Sequence, residues 1–143
     1  MTEFVLDNSV AMRWLLESGK LSDQKYAEAI LISMSEAKAL VPNLWHLEAC
    51  NVLFSAEKQC QVGVADVERF IAQLENLPIV VDSLTCQYAL TRTLALARAY
   101  KLSSYDAAYL ELAIREGVPI ATLDKSLLKA AKQANVERYL IAQ

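Results

Sequence analysis

The sequence has few of the residues that interrupt regular structure or that build disulfide and zinc sites. Its 143 residues include three glycines, three prolines, three cysteines and one histidine. The cysteines are odd in number and lie in no Cys-x-x-Cys pair, which argues against a disulfide framework and against a zinc site. Neither GxxxxGK[ST] nor GxGxxG occurs, so we expect neither a P-loop nor a dinucleotide-binding site.

Long apolar runs and an excess of positive charge are also missing. No segment approaches 18 uninterrupted apolar residues, and the stretch MTEFVLDNSV lacks the basic and long apolar regions of a secretory signal. We therefore expect a soluble, cytoplasmic protein without membrane contact. The net charge of −3 argues against general polyanion binding, so any contact with nucleic acid has to be local or assisted by metal ions.

The length and the hydrophobic content are those of one ordinary domain. The chain contains no linker, internal repeat or low-complexity tract, so we expect a single domain over residues 1–143. Its hydrophobic share of 55% is modestly high. This excess indicates either a buried parallel sheet with Ala-rich helices or an apolar surface reserved for a partner.

Short apolar runs alternate with helical patterns along the chain. This alternation predicts βαβ units and an α/β, three-layer α/β/α fold with a central, mostly parallel sheet of four to five strands. In the second helix we expect a cap at Ser22 and an apolar face formed by Leu21, Tyr26, Ile30 and Met34. The predicted strands are 3–6, 39–41, 78–82 and 118–122, with 136–141 as a fifth candidate, and the predicted helices are 9–17, 20–37, 44–59, 64–77, 84–100, 103–117 and 125–135.

Acidic residues stand at the ends of two predicted strands. Asp7 ends the first strand, and Asp124 follows the strand that contains PIAT. Ligands of parallel sheets bind outside the carboxyl ends of the strands, so both carboxylates belong at one edge. Asp106, in the first turn of the sixth helix, and Glu48, within the third, are placed to join them.

Each acid also has an ordinary explanation. Asp7 and Asp124 are good helix caps, Asp106 suits the positive end of a helix dipole, and Glu48 fits an exposed helix position. For Asp7 we expect both roles, a helix cap and a metal ligand.

The segments VLDNSV, LEACNVL, SSYDAAYLELA and ATLDKSLLKAA, in that order, resemble the PIN domain and most closely the VapC-type toxins of bacterial toxin–antitoxin pairs. The resemblance covers essentially the whole chain. It implies a Mg²⁺- or Mn²⁺-dependent endoribonuclease that is the toxin of such a pair. The implied metal and catalytic residues are Asp7, Glu48, Asp106 and Asp124, and the implied flanking hydroxyl residues are Ser9 and Thr122.

Metal chemistry gives an independent reason for several acids. Mg²⁺ and Mn²⁺ are hard cations that prefer oxygen ligands and keep several waters, so a few converging carboxylates are enough. The sequence offers acids but no usable set of histidines and cysteines. It leaves open whether one or two ions bind and which acids bind them directly.

Basic residues near the acids are candidates for phosphate contacts. Arg13 and Lys125 are the best placed, whereas Lys101 and Lys129 are more ordinary surface charges. The resemblance also implies a homodimer and a cognate antitoxin that inserts an amphipathic segment into a groove of the first three helices. The groove candidates are Trp14, Leu15, Leu16, Ile30 and Leu53, and core packing is the alternative role for each of them. The dimer candidates are Tyr88, Leu94 and Tyr100 of the fifth helix.

Other functions fit less well. A phosphoryl-transfer enzyme with an Asp nucleophile needs a second acid where Ser9 stands. Ser–His–Asp catalysis has to use His46, which points to a different helix face from Glu48 and is expected to be partly buried. The serious alternative is a PIN-like fold that only binds another protein, against which the presence of all four acids argues.

Overall fold

A computed structural model describes residues 1–141 of the chain. A four-stranded parallel sheet in the order β3-β2-β1-β4 lies at its centre and is flanked by helices, which confirms the predicted α/β class. The strands are β1 (Thr2–Leu6), β2 (Ala37–Val41), β3 (Ile79–Val81) and β4 (Ile120–Ala121). The helices are α1 (Asn8–Ala11, continued by a 3₁₀ turn at Met12–Trp14), α2 (Leu21–Ser33), α3 (Trp45–Lys58), α4 (Val64–Glu75), α5 (Thr85–Tyr88), α6 (Leu94–Tyr100), α7 (Ser104–Glu116) and α8 (Lys125–Gln133).

Strand β1 lies inside the sheet and carries the first acid. Val5 is paired with Leu40 of β2 on one side and with Ile120 of β4 on the other. Phe4, Val5 and Leu6 are fully buried, as expected for a parallel strand that has neighbours on both sides and helices on both faces. The N–H of Asp7 donates to the carbonyl of Ala121 at 3.0 Å, which fixes the carboxylate at the carboxyl edge of the sheet.

The first helix and the beginning of the second differ from the sequence prediction. The first helix breaks into a short α-helix and a 3₁₀ turn that ends at Trp14, and α2 begins at Leu21, so Ser22 lies inside the helix. Local hydrogen bonds from 18 to 24 close the preceding turn, including one from the Ser18 N–H to the Gln24 side chain at 3.1 Å. Leu21 is consequently exposed, while the other three residues of the predicted apolar face are buried.

The predicted long helix over 84–100 is interrupted. A π-helical turn at Ala89–Thr93 separates α5 from α6. Such turns insert an extra residue into a helix and shift the faces on either side of it. Helix α7, in contrast, ends as predicted at Gly117, which adopts φ +65° and caps the helix in the left-handed conformation that glycine favours.

The candidate fifth strand over 136–141 is wrong. Only a single parallel bridge, from Ile120 to Arg138, joins this segment to the sheet, and Leu140 leaves the extended conformation with φ +49°. The segment is held instead by one side-chain stack on β1 and by backbone hydrogen bonds to Ile120 of β4. The rings of Phe4 and Tyr139 stack with centroids 4.0 Å apart, and the Tyr139 N–H donates to the carbonyl of Ile120 at 2.8 Å.

Candidate functional site

Four acidic side chains surround the carboxyl edge of the sheet beside β1 and β4. Asp7 follows β1, Asp124 precedes α8, and the first turns of α3 and α7 carry Glu48 and Asp106. Their charges act on one another, since Glu48 and Asp124 both raise the pKa of Asp7 and Asp106 raises that of Glu48. The structure therefore brings the acids that the sequence singled out close enough for their charges to interact. Within residues 1–141, none of the four carboxylates is hydrogen-bonded directly to another.

Asp7 is held by two hydroxyl groups that the sequence also singled out. Ser9 Oγ and Thr122 Oγ1 each donate to Asp7 Oδ2 at 2.7 Å. The same hydroxyl oxygens accept backbone N–H groups of the loop after β4, Ser9 from Leu123 at 2.9 Å and Thr122 from Asp124 at 3.0 Å. The carboxylate is thereby fastened to this loop and leaves Oδ1 without a hydrogen-bond donor among residues 1–141.

The capping explanation is wrong for Asp7 and right for Asp124. The Asp7 side chain caps no N–H of α1, because the hydroxyls of Ser9 and Thr122 orient it elsewhere. Asp124 Oδ1 accepts the N–H of Leu127 at 2.9 Å and so caps α8. At α7 the cap is Ser103, whose hydroxyl accepts the N–H of Asp106 at 3.1 Å.

Glu48 is half-buried and held by two residues that the sequence analysis missed. Tyr109 donates its hydroxyl to Glu48 Oε1 at 2.5 Å, and Asn8 Nδ2 lies 3.4 Å from the same oxygen. Their positions in the sequence could have indicated a place beside the acids. Asn8 follows Asp7 directly, and Tyr109 lies one helical turn after Asp106, on the same face of α7.

Burial and the charges of neighbouring carboxylates raise the pKa of Asp7, Glu48 and Asp106. Burial, with the charges of Glu48 and Asp124, raises the pKa of Asp7 to about 6 despite its two hydroxyl donors. Burial, with the charges of Asp124 and Asp7, raises the pKa of Asp106 to about 6. Burial also raises the pKa of Glu48 and that of Tyr109, so the Tyr109 hydroxyl keeps its proton. The arrangement is costly near neutral pH unless positive charge is brought in.

The donor set fits a hard divalent cation, but it is not a closed cage. Within residues 1–141, no three His, Cys, Asp or Glu side chains already converge as a metal-binding group. Asp7, Glu48 and Asp124 each use one carboxylate oxygen in a protein hydrogen bond and leave the other without a donor from the described residues. Mg²⁺ and Mn²⁺ keep several waters, so a few single oxygen contacts suit them. The site therefore fits such an ion because its ligands are all carboxylate oxygens and because their negative charge is not compensated by a cationic side chain of residues 1–141.

A second buried group of carboxylates lies outside this site and was not anticipated. Asp82, at the end of β3, and Glu111 of α7 both bind Arg115, with Nη2–oxygen distances of 2.6 and 2.9 Å. Burial alone would raise the pKa of Asp82, but hydrogen bonds from Arg115 and the Leu84 N–H outweigh it and lower that pKa. The guanidinium of Arg115 therefore compensates the negative charge of Asp82 and Glu111 from within the protein.

The predicted phosphate-binding residues lie near the acids in sequence but do not contact them. Arg13 is partly buried in the 3₁₀ turn, and Lys125 is exposed as the first residue of α8. Neither forms an ion pair with another residue of the described range. His46 is exposed rather than partly buried, because it lies on the outer face of α3 with its ring against the edge of Trp45.

The predicted partner surfaces require a correction. Ile30 is fully buried in the core. Leu53 is 6% exposed and lines a groove of about 660 Å³ between α3 and α4, with Phe54 and Ile71, rather than a groove of the first three helices. Trp14, Leu15 and Leu16 instead line a groove of about 690 Å³ with Val62 and Phe70, at the side of α4. In the dimer candidate, Tyr88 is partly covered by Arg92 and Arg115, whereas Leu94 is exposed.

Comparisons with known proteins agree with this architecture. The sequence model of the PIN domain matches residues 4–133. The crystal structure of PAE2754 from Pyrobaculum aerophilum is similar, with a TM-score of 0.64 and 22% identity over 90% of this chain and 79% of that chain. At this identity the likeness supports the fold alone. The search of curated proteins returned no match. Among residues 1–141, no helix has the length and apolar character needed to cross a membrane.

Proposed function

The chain belongs to the PIN domain family, whose members are generally nucleases, and we propose that it is a Mg²⁺- or Mn²⁺-dependent endoribonuclease that hydrolyses RNA phosphodiester bonds. The observation that carries the proposal is the cluster of Asp7, Glu48, Asp106 and Asp124, whose carboxylates form no ion pair with a cationic side chain of residues 1–141. Burial, and after it the charges of the neighbouring acids, raises the pKa of Asp7, Glu48 and Asp106. We further propose that the protein is the toxin of a type II toxin–antitoxin pair.

In this proposal the four acids hold the cation, and neighbouring residues orient them. Ser9 and Thr122 fasten Asp7 Oδ2, so that Oδ1 is the oxygen offered to the ion. Asp124 is tied by its cap to α8, so only its second oxygen is available. A bound divalent ion supplies a Lewis acid that activates water and offsets charge on the scissile phosphate.

Substrate binding requires local positive charge, because the whole chain carries a net charge of −3. We propose that Arg13 and Lys125 contact RNA phosphates on either side of the acidic cluster. Their placement directly after α1 and directly after Asp124 supports this assignment. Such contacts position the strand and leave recognition of the RNA sequence to other groups.

Two protein partners complete the proposal. The groove lined by Trp14, Leu15, Leu16, Val62 and Phe70 also contains polar and charged side chains, and this mixed lining suits an amphipathic antitoxin helix. The polar and charged lining residues are Glu17, Gln61, Asp66, Arg69 and Gln73. We propose a homodimer through the face of α5 and α6. Leu90 in the π-helical turn between these helices is 85% exposed, and Leu94 adds to the same surface.

Cleavage of a mixed panel of structured RNAs tests the enzymatic proposal. We would compare chelator-stripped wild type with and without Mn²⁺ or Mg²⁺, and test Asp7→Asn and Asp106→Asn beside it. Asp66→Asn is the matched control, since Asp66 pairs with Arg69 on the surface of α4. We expect metal-restored cleavage that the first two variants lose and the control keeps. Folded wild type that neither cleaves RNA nor binds metal would instead indicate a PIN-fold binding module.

A further inference from the structure

A buried hydrogen-bonded chain leads from Asn8 through Tyr109 to Glu48. We infer that Tyr109, assisted by Asn8, is a positioning residue that holds one oxygen of Glu48 and thereby presents the other oxygen to a divalent cation. The inference rests on the proposed function, because it requires Glu48 to contribute to a metal site. It assigns a role to two residues that do not themselves touch the ion or the RNA.

The chain begins at two buried residues and ends in a short hydrogen bond to the half-buried Glu48. Tyr109 is fully buried and Asn8 is 6% exposed. Tyr109 donates to Glu48 Oε1 at 2.5 Å and accepts from Asn8 Nδ2 at 3.3 Å. A hydroxyl that accepts one hydrogen bond while donating another to a carboxylate is polarised in the direction that strengthens the second bond.

The groups around Asn8 permit one orientation of its amide. Nδ2 faces the carbonyl oxygen of Trp45 at 3.0 Å and Glu48 Oε1 at 3.4 Å, and neither of these oxygens is a donor. Reversing the amide would place its oxygen against both of them. In the observed orientation Asn8 Oδ1 is buried and has no partner within residues 1–141. The fold therefore leaves Asn8 Oδ1 unpaired among the described residues, while the Asn8 amide N–H groups point toward the oxygens of Trp45, Tyr109 and Glu48.

The chain also connects the elements that carry three of the acids. Asn8 follows Asp7, Tyr109 lies one turn after Asp106, and Glu48 belongs to α3. A glutamate that is already ordered loses little side-chain freedom when an ion binds, which favours affinity. Hydrogen-bond partners behind metal ligands typically change metal affinity about 10- to 100-fold when they are removed.

Calorimetric titration of chelator-stripped protein with Mn²⁺ tests the inference. Tyr109→Phe retains the ring and loses only the hydroxyl, and we expect its Mn²⁺ dissociation constant to rise about 10-fold. Tyr26→Phe is the matched control, because Tyr26 is also buried and donates its hydroxyl to the carbonyl of Tyr139 at 2.6 Å, away from the acids. We expect this control to bind Mn²⁺ as the wild type does, even if its melting temperature falls.

A double-mutant cycle separates positioning from packing. In a Glu48→Ala background, Tyr109→Phe should cause no further loss of Mn²⁺ affinity, because the hydroxyl acts only through Glu48. Asn8→Ala provides a second route to the same test if Tyr109→Phe does not fold, with an expected loss of a few-fold. Unchanged affinity in both variants, or an equal loss with and without Glu48, overturns the inference while Mn²⁺ binding by the wild type keeps the proposed function. Wild type that does not bind Mn²⁺ rejects both.

Discussion

Two groups of carboxylates that are shielded from solvent differ in how their negative charge is compensated. Asp82 and Glu111 share Arg115, and the pKa of Asp82 is lowered as a result. Asp7 and its acidic neighbours have hydroxyl and amide donors but no ion pair with a cation in the described part of the chain, and burial beside other acids raises the pKa of Asp7 to about 6. The first group is complete within the protein, whereas the second needs positive charge from outside. This difference is the physical basis for proposing a metal site at the sheet edge.

Removing the internal cation should have the largest effect. Arg115→Met leaves Asp82 and Glu111 buried without a partner, and the loss of one partner from a buried pair costs about 3–5 kcal/mol of the free energy of unfolding. Urea denaturation at pH 7 measures this loss. Adding Asp82→Asn and Glu111→Gln to Arg115→Met should recover much of it. A loss below about 1 kcal/mol for Arg115→Met would show that the pair is not structurally important.

The same substitution should act in opposite directions in the two groups. Without metal at pH 8, Asp7→Asn removes a carboxylate that burial disfavours, so we expect the free energy of unfolding to rise by about 2 kcal/mol. Asp82→Asn loses the ionic partner of Arg115 and should lower it by about 1–3 kcal/mol. Denaturation curves of both variants in chelator measure the pair of effects. If both changes had the same sign, the comparison between the groups would fail.

The pH dependence of stability should also divide between the groups. The folded pKa of Asp7 lies above its unfolded value of 3.8, so its effect reduces stability as pH rises from about 4 to about 6. The lowered pKa of Asp82 acts the other way, because its stabilisation is present above the unfolded value and is lost as pH falls through the folded one. Melting temperatures in chelator should therefore fall from about pH 4 to about pH 6, and Asp7→Asn should flatten that part of the profile. A wild-type profile that rises over this interval contradicts the assignment.

The smallest effects concern the proposed RNA contacts. Removing one phosphate contact by Arg13→Ala or Lys125→Ala should weaken RNA binding by roughly 3-fold at moderate salt. It should also reduce the dependence of log affinity on log salt concentration by about 0.7 for single-stranded RNA. Fluorescence anisotropy with a catalytically inactive Asp106→Asn background measures both quantities. Lys58→Ala, on the exposed end of α3, is the control that should leave the slope unchanged.

Much of the fold could be predicted from the sequence because β1 and its neighbours are nearly continuous apolar runs, and parallel strands place their carboxyl ends at one edge. That rule also brought Asp7 and Asp124 to the same edge. The predictions that were wrong concern side chains whose contacts are with residues far away in the sequence. The Asp7 side chain does not cap α1 because Thr122 binds it, and Glu48 is not simply exposed because Tyr109 covers it.

Apolar periodicity also has a limit that this chain illustrates. Among the residues predicted for a partner groove, Ile30 lies in the core, whereas Leu15 and Leu16 line one groove and Leu53 lines another. The spacing of apolar residues identifies a covered helix face but not whether the cover is the same chain or another. The buried ion pairs of Arg115 could not be predicted from the sequence either, since a single arginine on a helix usually lies at the surface.

Direct Mn²⁺ binding tests the central claim that the acidic cluster at the sheet edge takes its positive charge from outside. Electron paramagnetic resonance counts the free Mn²⁺ that remains when chelator-stripped protein is titrated at pH 7.5. We predict one or two ions bound to the wild type and to Asp66→Asn, with binding lost or at least about 10-fold weaker in Asp7→Asn. Equal binding by the wild type and Asp7→Asn, or no binding by the folded wild type, would contradict it.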